Sequence, residues 1–140
     1  MFLLDTDIVS DLRRPKRNDN VVAWIAQVSP TDVFLSTITP FEIELGIERQ
    51  RHVDPHFARG LEIWLDATLR LYVDRILPLT VNVARRWGRL SAKIGNKNLD
   101  GAIAATALEH GLTVVTRNVA HYRATGVAVL NPFEAATRKR

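Results

Sequence analysis

The segment Leu99–Asn118 constrains this chain more than any other, because it encodes a helix, a stop and a buried strand within twenty residues. Ile103, Ala104, Ala107 and Leu108 recur at helical spacing, and Gly111 stands where a left-handed C-terminal cap belongs. Leu112–Val115 is then a short apolar run rich in β-branched residues. A strand with no polar alternation belongs in the middle of a parallel sheet covered on both faces, so the helix before it should lie on one face. Asp100, in the first helical turn, and Asn118, just past the strand, both fall outside the apolar stripe that packing explains. They are the first candidates for chemistry.

The remaining strands can be read by the same pattern. Phe2–Leu4, Val33–Ser36, Val127–Leu130 and the pair Ile76-Leu77, followed by Pro78, are short apolar runs, and the last pair reads as an edge strand. Helices fall between them. Asp5-Thr6-Asp7 offers caps to a helix carrying Ile8, Val9 and Leu12 and ended by Pro15; Val21, Trp24, Ile25 and Val28 mark a second. The stretch Ile38–Ile43 reads as a helix start with Thr39 as cap, Pro40 at the first position, Glu42 closing a capping box and Ile38 stapled against Ile43. After a break at His52–Pro55, Phe57, Leu61, Trp64, Leu65 and Leu69 predict a long helix paired with the one before it. Val83, Trp87, Leu90 and Ile94 give another after Thr80, and Asn98 caps the helix of Asp100. The pattern predicts an α/β fold, a three-layer sandwich around a mostly parallel sheet of four to five strands, as one domain over residues 1–140.

Composition narrows the function. With no cysteine, thiolate metal sites and a cysteine nucleophile are excluded, and a reducing, cytoplasmic location is expected. No run approaches the length of a membrane span. The net charge of +4 suits a polyanionic partner, although part of it is the terminal Arg138-Lys139-Arg140, which reads as a solvated tail. His52, His56, His110 and His121 form no metal-ligand pattern and read as surface histidines; no nucleophile elbow or phosphate-binding glycine loop is present.

In open α/β sheets the crevice at the carboxyl ends of the strands is the usual site. Asp5 follows the first strand, Glu42 lies in the first turn of a helix after the second, and Asp100 and Asn118 flank the helix and strand considered first. Each acid has an ordinary explanation as a cap or a helix-dipole partner. Together they predict more, since converging carboxylates repel unless a cation lies between them, and an all-oxygen cluster suits Mg²⁺ or Mn²⁺.

Five segments in order then resemble the PIN-domain ribonucleases, and among them the toxins of VapBC-type toxin-antitoxin pairs, including the FitB-like branch. They are Leu3–Thr6, Leu35–Ile43 with Gly46 beyond, Arg75–Pro78, Asp100–Ala107 and Leu112–Asn118. The resemblance implies that Asp5, Glu42 and Asp100 hold a divalent metal, with Thr6 and Thr116 near it and Asn118 among the catalytic group. It also implies metal-assisted hydrolysis of RNA, a homodimer, and a VapB-like antitoxin that buries a basic side chain in the acidic site. Asn118 stands where many relatives carry a fourth acid, His121 where an aspartate often follows, and Asp7 where asparagine is frequent. Arg117, Lys97 and Arg13 are candidate phosphate contacts. Two other classes fit parts of the sequence. One is a phosphotransferase of the haloacid dehalogenase kind, suggested by Asp5-Thr6-Asp7. The other is a non-catalytic RNA-binding or antitoxin-titrating protein, suggested by Asn118.

Overall fold

The computed structural model describes residues 1–134, so the basic tail Arg138-Lys139-Arg140 lies outside the described residues. Five short strands form one sheet: β1 (Phe2–Leu4), β2 (Val33–Ser36), β3 (Ile76–Leu77), β4 (Thr113–Val115) and β5 (Val129–Leu130). Their order is β3-β2-β1-β4-β5, and every pairing is parallel. Parallel neighbours require crossovers, which the helices supply. These are α1 (Thr6–Arg13), α2 (Asp19–Gln27), α3 (Ile38–Arg51), α4 (Pro55–Leu71), α5 (Val81–Ile94), α6 (Leu99–His110) and α7 (Val119–Tyr122).

The two-residue period of each strand divides the core into two layers. Leu4, Val33, Leu35 and Val115 join one apolar cluster with Ile8 and Val9 of α1, Val21 of α2, Ile47 of α3 and Leu65 of α4. Leu3 and Val114, one residue out of phase, join the other with Ala102, Ile103 and Ala107 of α6 and Tyr122 of α7. The sheet is therefore the middle of three layers, and its strands read as unbroken apolar runs because both faces are covered. Small alanines let α6 lie close to the sheet; its residues Gly101–Ala107 are all buried.

Strands one, two and three and most helices form where the periodicity predicts. Gly111 takes the left-handed conformation at φ 65°, and the strand after it is pinned to β1 as Leu4 pairs with Val115. The last two strands begin later than the apolar runs suggest, at Thr113 and Val129, because Leu112 and Val127 pack into the core without joining the ladder. The start of α3 differs more. The helix opens at Ile38, with Thr37 in the cap position and the Ser36 hydroxyl accepting from the Ile38 N–H at 3.0 Å. Thr39 is thus already helical and buried, so there is no capping box. Ile38 and Ile43 also pack in different layers rather than against each other. An early start turns both Thr39 and Glu42 away from capping and frees them for the site. No helix among the described residues is long and apolar enough to cross a membrane.

Candidate active site

β1 is the first strand, yet it sits in the centre, with the chain proceeding to β2 on one side and returning later to β4 on the other. That makes the β1/β4 boundary a topological switch point, where the connections diverge and leave a crevice at the carboxyl ends. Asp5 leaves β1 and Thr116 leaves β4 at this point, held level by the bond from the Asp5 N–H to the Val115 carbonyl at 2.9 Å.

Asp5 is 6% exposed, and both of its oxygens are engaged. Oδ1 accepts from the Thr6 N–H at 2.8 Å, so the residue does cap α1, and Oδ2 accepts from the Thr116 hydroxyl at 2.9 Å. Burial pushes its pKa up, against the hydrogen bonds from Thr116, Tyr122 and Thr6; the charge of Asp100 pushes in the same direction as burial.

Glu42 reaches the same crevice from α3. Its Oε1 accepts from the Thr6 hydroxyl at 2.8 Å, and the Thr6 hydroxyl is also 3.1 Å from that of Thr39. Burial raises the Glu42 pKa, opposed by the Thr6 bond, and the charges of Asp5 and Asp100 raise it further. Asp100 arrives from the first turn of α6, where Asn98 caps the helix through the Gly101 N–H at 3.2 Å. Its Oδ2 lies 3.0 Å from Nδ1 of His121, and its Oδ1 accepts from the Tyr122 hydroxyl at 3.4 Å. Three acids from three separate elements therefore feel one another's charge.

Two further groups belong here that sequence reasoning left out. Asp7 is the second residue of α1, and its Oδ2 accepts from the Arg117 N–H at 3.0 Å. Its Oδ1 is buried without a hydrogen-bond partner, and burial together with the Asp5 charge raises its pKa to about 6. Tyr122 is fully buried, and burial with the charges of Asp5 and Asp100 holds its hydroxyl protonated well above the usual phenol range. Asp7 was legible as a departure from a pattern. Tyr122 carried no signal, since a tyrosine in a four-residue helix reads equally well as core.

His121 is a surface histidine, as the sequence suggests, and its imidazole also pairs with Asp100. Asn118 is exposed; its backbone N–H donates to the Thr116 hydroxyl at 3.0 Å, and its side chain bonds none of the acids. Thr6 and Thr116 are both in the cluster. Arg117 contributes its backbone to Asp7, while its guanidinium lies 4.8 Å over the Phe133 ring. Arg13 rests against Phe57 and Trp64 of α4, at 5.7 and 6.0 Å.

The donors are all oxygen apart from one imidazole, which suits a hard cation. Among the described residues no three acidic or imidazole groups form a closed cage. Mg²⁺ does not need one, since it keeps several waters and takes only one or two carboxylates. The orphaned Asp7 Oδ1 and the mutual repulsion of Asp5, Glu42 and Asp100 are both features that a cation relieves, so the residues present fit such an ion.

Comparison with known proteins agrees with this geometry. The PIN domain family model matches residues 2–127. Toxin FitB of Neisseria gonorrhoeae is 38% identical over 143 residues, covering 95% of this chain and 99% of FitB. The VapC ribonuclease Y4jK of Sinorhizobium fredii is 32% identical over 146 residues, covering 97% of this chain and all of the relative. The crystal structure of FitAcB from Neisseria gonorrhoeae superposes with a TM-score of 0.85 at 37% identity, over 96% of this chain and 100% of that one. On matched length, identity and fold alike, the chain belongs to the PIN-domain family, among its VapC- and FitB-like members.

Proposed function

We propose that this protein is the toxin of a toxin-antitoxin pair and acts as an endoribonuclease dependent on Mg²⁺ or Mn²⁺. The observation that carries the reading is the convergence of Asp5, Glu42 and Asp100 on the switch-point crevice, within reach of one another's charge. The likeness to a protein named as a VapC ribonuclease supports RNA as the substrate, and the likeness to a toxin and to solved toxin-antitoxin complexes supports an antitoxin partner. The net charge of +4 suits RNA.

In this reading Asp5, Asp100 and Glu42 hold the ion. Bound there, it supplies positive charge at the scissile phosphate and acidifies water. The chain's own groups do the rest. Thr116 and the Thr6 N–H fix Asp5 in one orientation, and the Thr6 hydroxyl aims Glu42. Glu42, held at the crevice by the Thr6 hydroxyl, is the group positioned to take a proton from the attacking water. Tyr122, kept protonated, donates to Asp100, and His121 holds the other oxygen of that acid.

The test is cleavage of RNA by the purified chain. It is expected with Mg²⁺ or Mn²⁺, to stop on chelation and to return when the ion is restored; cleavage indifferent to chelation would overturn the metal-dependent reading.

A further inference from the structure

Beside Asp100 and His121 a cavity of about 360 Å³ opens between the C-terminal half of α5, the turn that follows it and α7. We infer that this cavity is a base subsite, which receives one unstacked RNA base next to the scissile phosphate and selects guanine or uracil over adenine. The inference rests on the ribonuclease reading above and deepens it.

The lining is built like a recognition pocket, apolar walls with a few placed polar groups. Leu90 and Ile94 supply one wall, and Ala120 and Ala124 leave room on the other. Ser91, Asn96, Asn98 and Thr125 are the neutral polar groups, the Thr125 hydroxyl donating to the Tyr122 carbonyl. His121, 59% exposed at its side chain, is held at Nδ1 by Asp100. An imidazole tethered at one edge is a platform on which a splayed-out base can stack. Because Asp100 is shared between cavity and acidic cluster, a base seated here places its own phosphate toward the acids.

The direction of the amides decides the selectivity. Asn96 Oδ1 accepts from the Asn98 N–H at 3.0 Å, and Asn98 Oδ1 accepts from the Gly101 N–H at 3.2 Å. Both acceptor ends are thus turned to the backbone N–H groups of the turn and the helix start, and this network fixes which end of each amide is the NH₂. Among the described residues neither NH₂ has a partner, so the turn is left with donors. Guanine and uracil present carbonyl oxygens to such donors, whereas adenine presents an amino group at the corresponding position. An adenine there leaves donors facing a donor.

The substitution Asn96→Asp tests this directly. It keeps the oxygen that accepts from Asn98 and replaces the NH₂ by a second acceptor, at an exposed position where folding is not at risk. Ser91→Ala is the companion variant. Two readouts are needed: the bases flanking the cut, mapped on a random RNA pool with Mg²⁺, and anisotropy of labelled cytidine pentaribonucleotides carrying A, G or U at the centre, without divalent ion. The wild type is expected to favour G or U over A by about fivefold, the size of one hydrogen bond. In Asn96→Asp the ratio should fall to within about twofold or reverse. A wild-type ratio near one, or a preference that survives both substitutions, overturns the subsite. RNA cut without preference would remove the subsite and leave the nuclease. Preference in binding with no cleavage under any divalent ion would do the opposite.

Discussion

The hydroxyl of Thr6 donates to the carboxylate of Glu42 at 2.8 Å, joining the first turn of α1 to the second turn of α3 across 36 residues of sequence. This contact, rather than a capping box, accounts for the glutamate. If it aims Glu42, then Thr6→Val should lower kcat for RNA cleavage by about 10- to 100-fold, the usual scale for removing a hydrogen bond that orients a metal-site ligand. Stability should fall by only about 1–2 kcal/mol, the cost of leaving a partly buried acceptor unpaired. Steady-state kinetics beside thermal melts separate the two, and an unchanged kcat would show that Glu42 needs no such guide.

Asp7 gives a prediction in pH. Its pKa is about 3.8 unfolded and about 6 folded, so between these values the native state binds the more protons and stability falls as pH rises. Its contribution is present in full below pH 3.8 and lost through pH 6. Asp7→Asn does not titrate. In chelator it should therefore melt higher than the wild type at pH 7.5, by about 2–4 °C, and the advantage should vanish near pH 4. An advantage equal at both values would contradict the linkage.

These two groups also show where the sequence stopped being legible. The sheet could be read because strands buried on both faces are uniformly apolar, and the paired cap signals Asn98 and Gly111 bracket α6. The acids were found because they lie at the ends of elements, outside any apolar stripe. The start of α3 was misread because Thr39, Pro40 and Glu42 satisfy the rule for a cap, while the Ser36 hydroxyl lets the helix begin earlier. No local rule registers that competition. Tyr122 and the His121–Asp100 pair stayed hidden for a different reason: they depend on α7 folding back over α6, a long-range fact with no periodicity of its own.

Gly101 is set against Trp87, and a Cβ there would stand 2.9 Å from Cδ1 and Nε1 of the indole. The same indole donates to the Asn98 carbonyl at 3.2 Å, bracing the turn that carries Asp100. Gly101→Ala should cost about 1–3 kcal/mol through overpacking and weaken Mn²⁺ binding by displacing the start of α6. Denaturant melts and Mn²⁺ titration read the two effects; a variant as stable as the wild type would show that Trp87 swings away freely.

An antitoxin that inhibits by occupying the crevice should do so with an arginine or lysine. A cation set among Asp5, Glu42 and Asp100 replaces the charge of the ion, and guanidinium can grip a carboxylate with two bonds. Replacing that side chain by alanine in the cognate antitoxin should abolish inhibition while the complex still forms. Inhibition that survives the change would place the block elsewhere.

Whether the acids form a charged site, beyond the cap that Asp5 also supplies to α1, is decided by RNA cleavage in Glu42→Gln at saturating Mg²⁺. Glutamine keeps the shape and still accepts from Thr6, but it brings no charge and takes no proton. The variant should melt at or above the wild-type temperature in chelator, because repulsion with Asp5 and Asp100 is relieved, and should lose cleavage by about 100-fold or more. A folded Glu42→Gln protein that cleaves RNA at the wild-type rate would contradict a charged site.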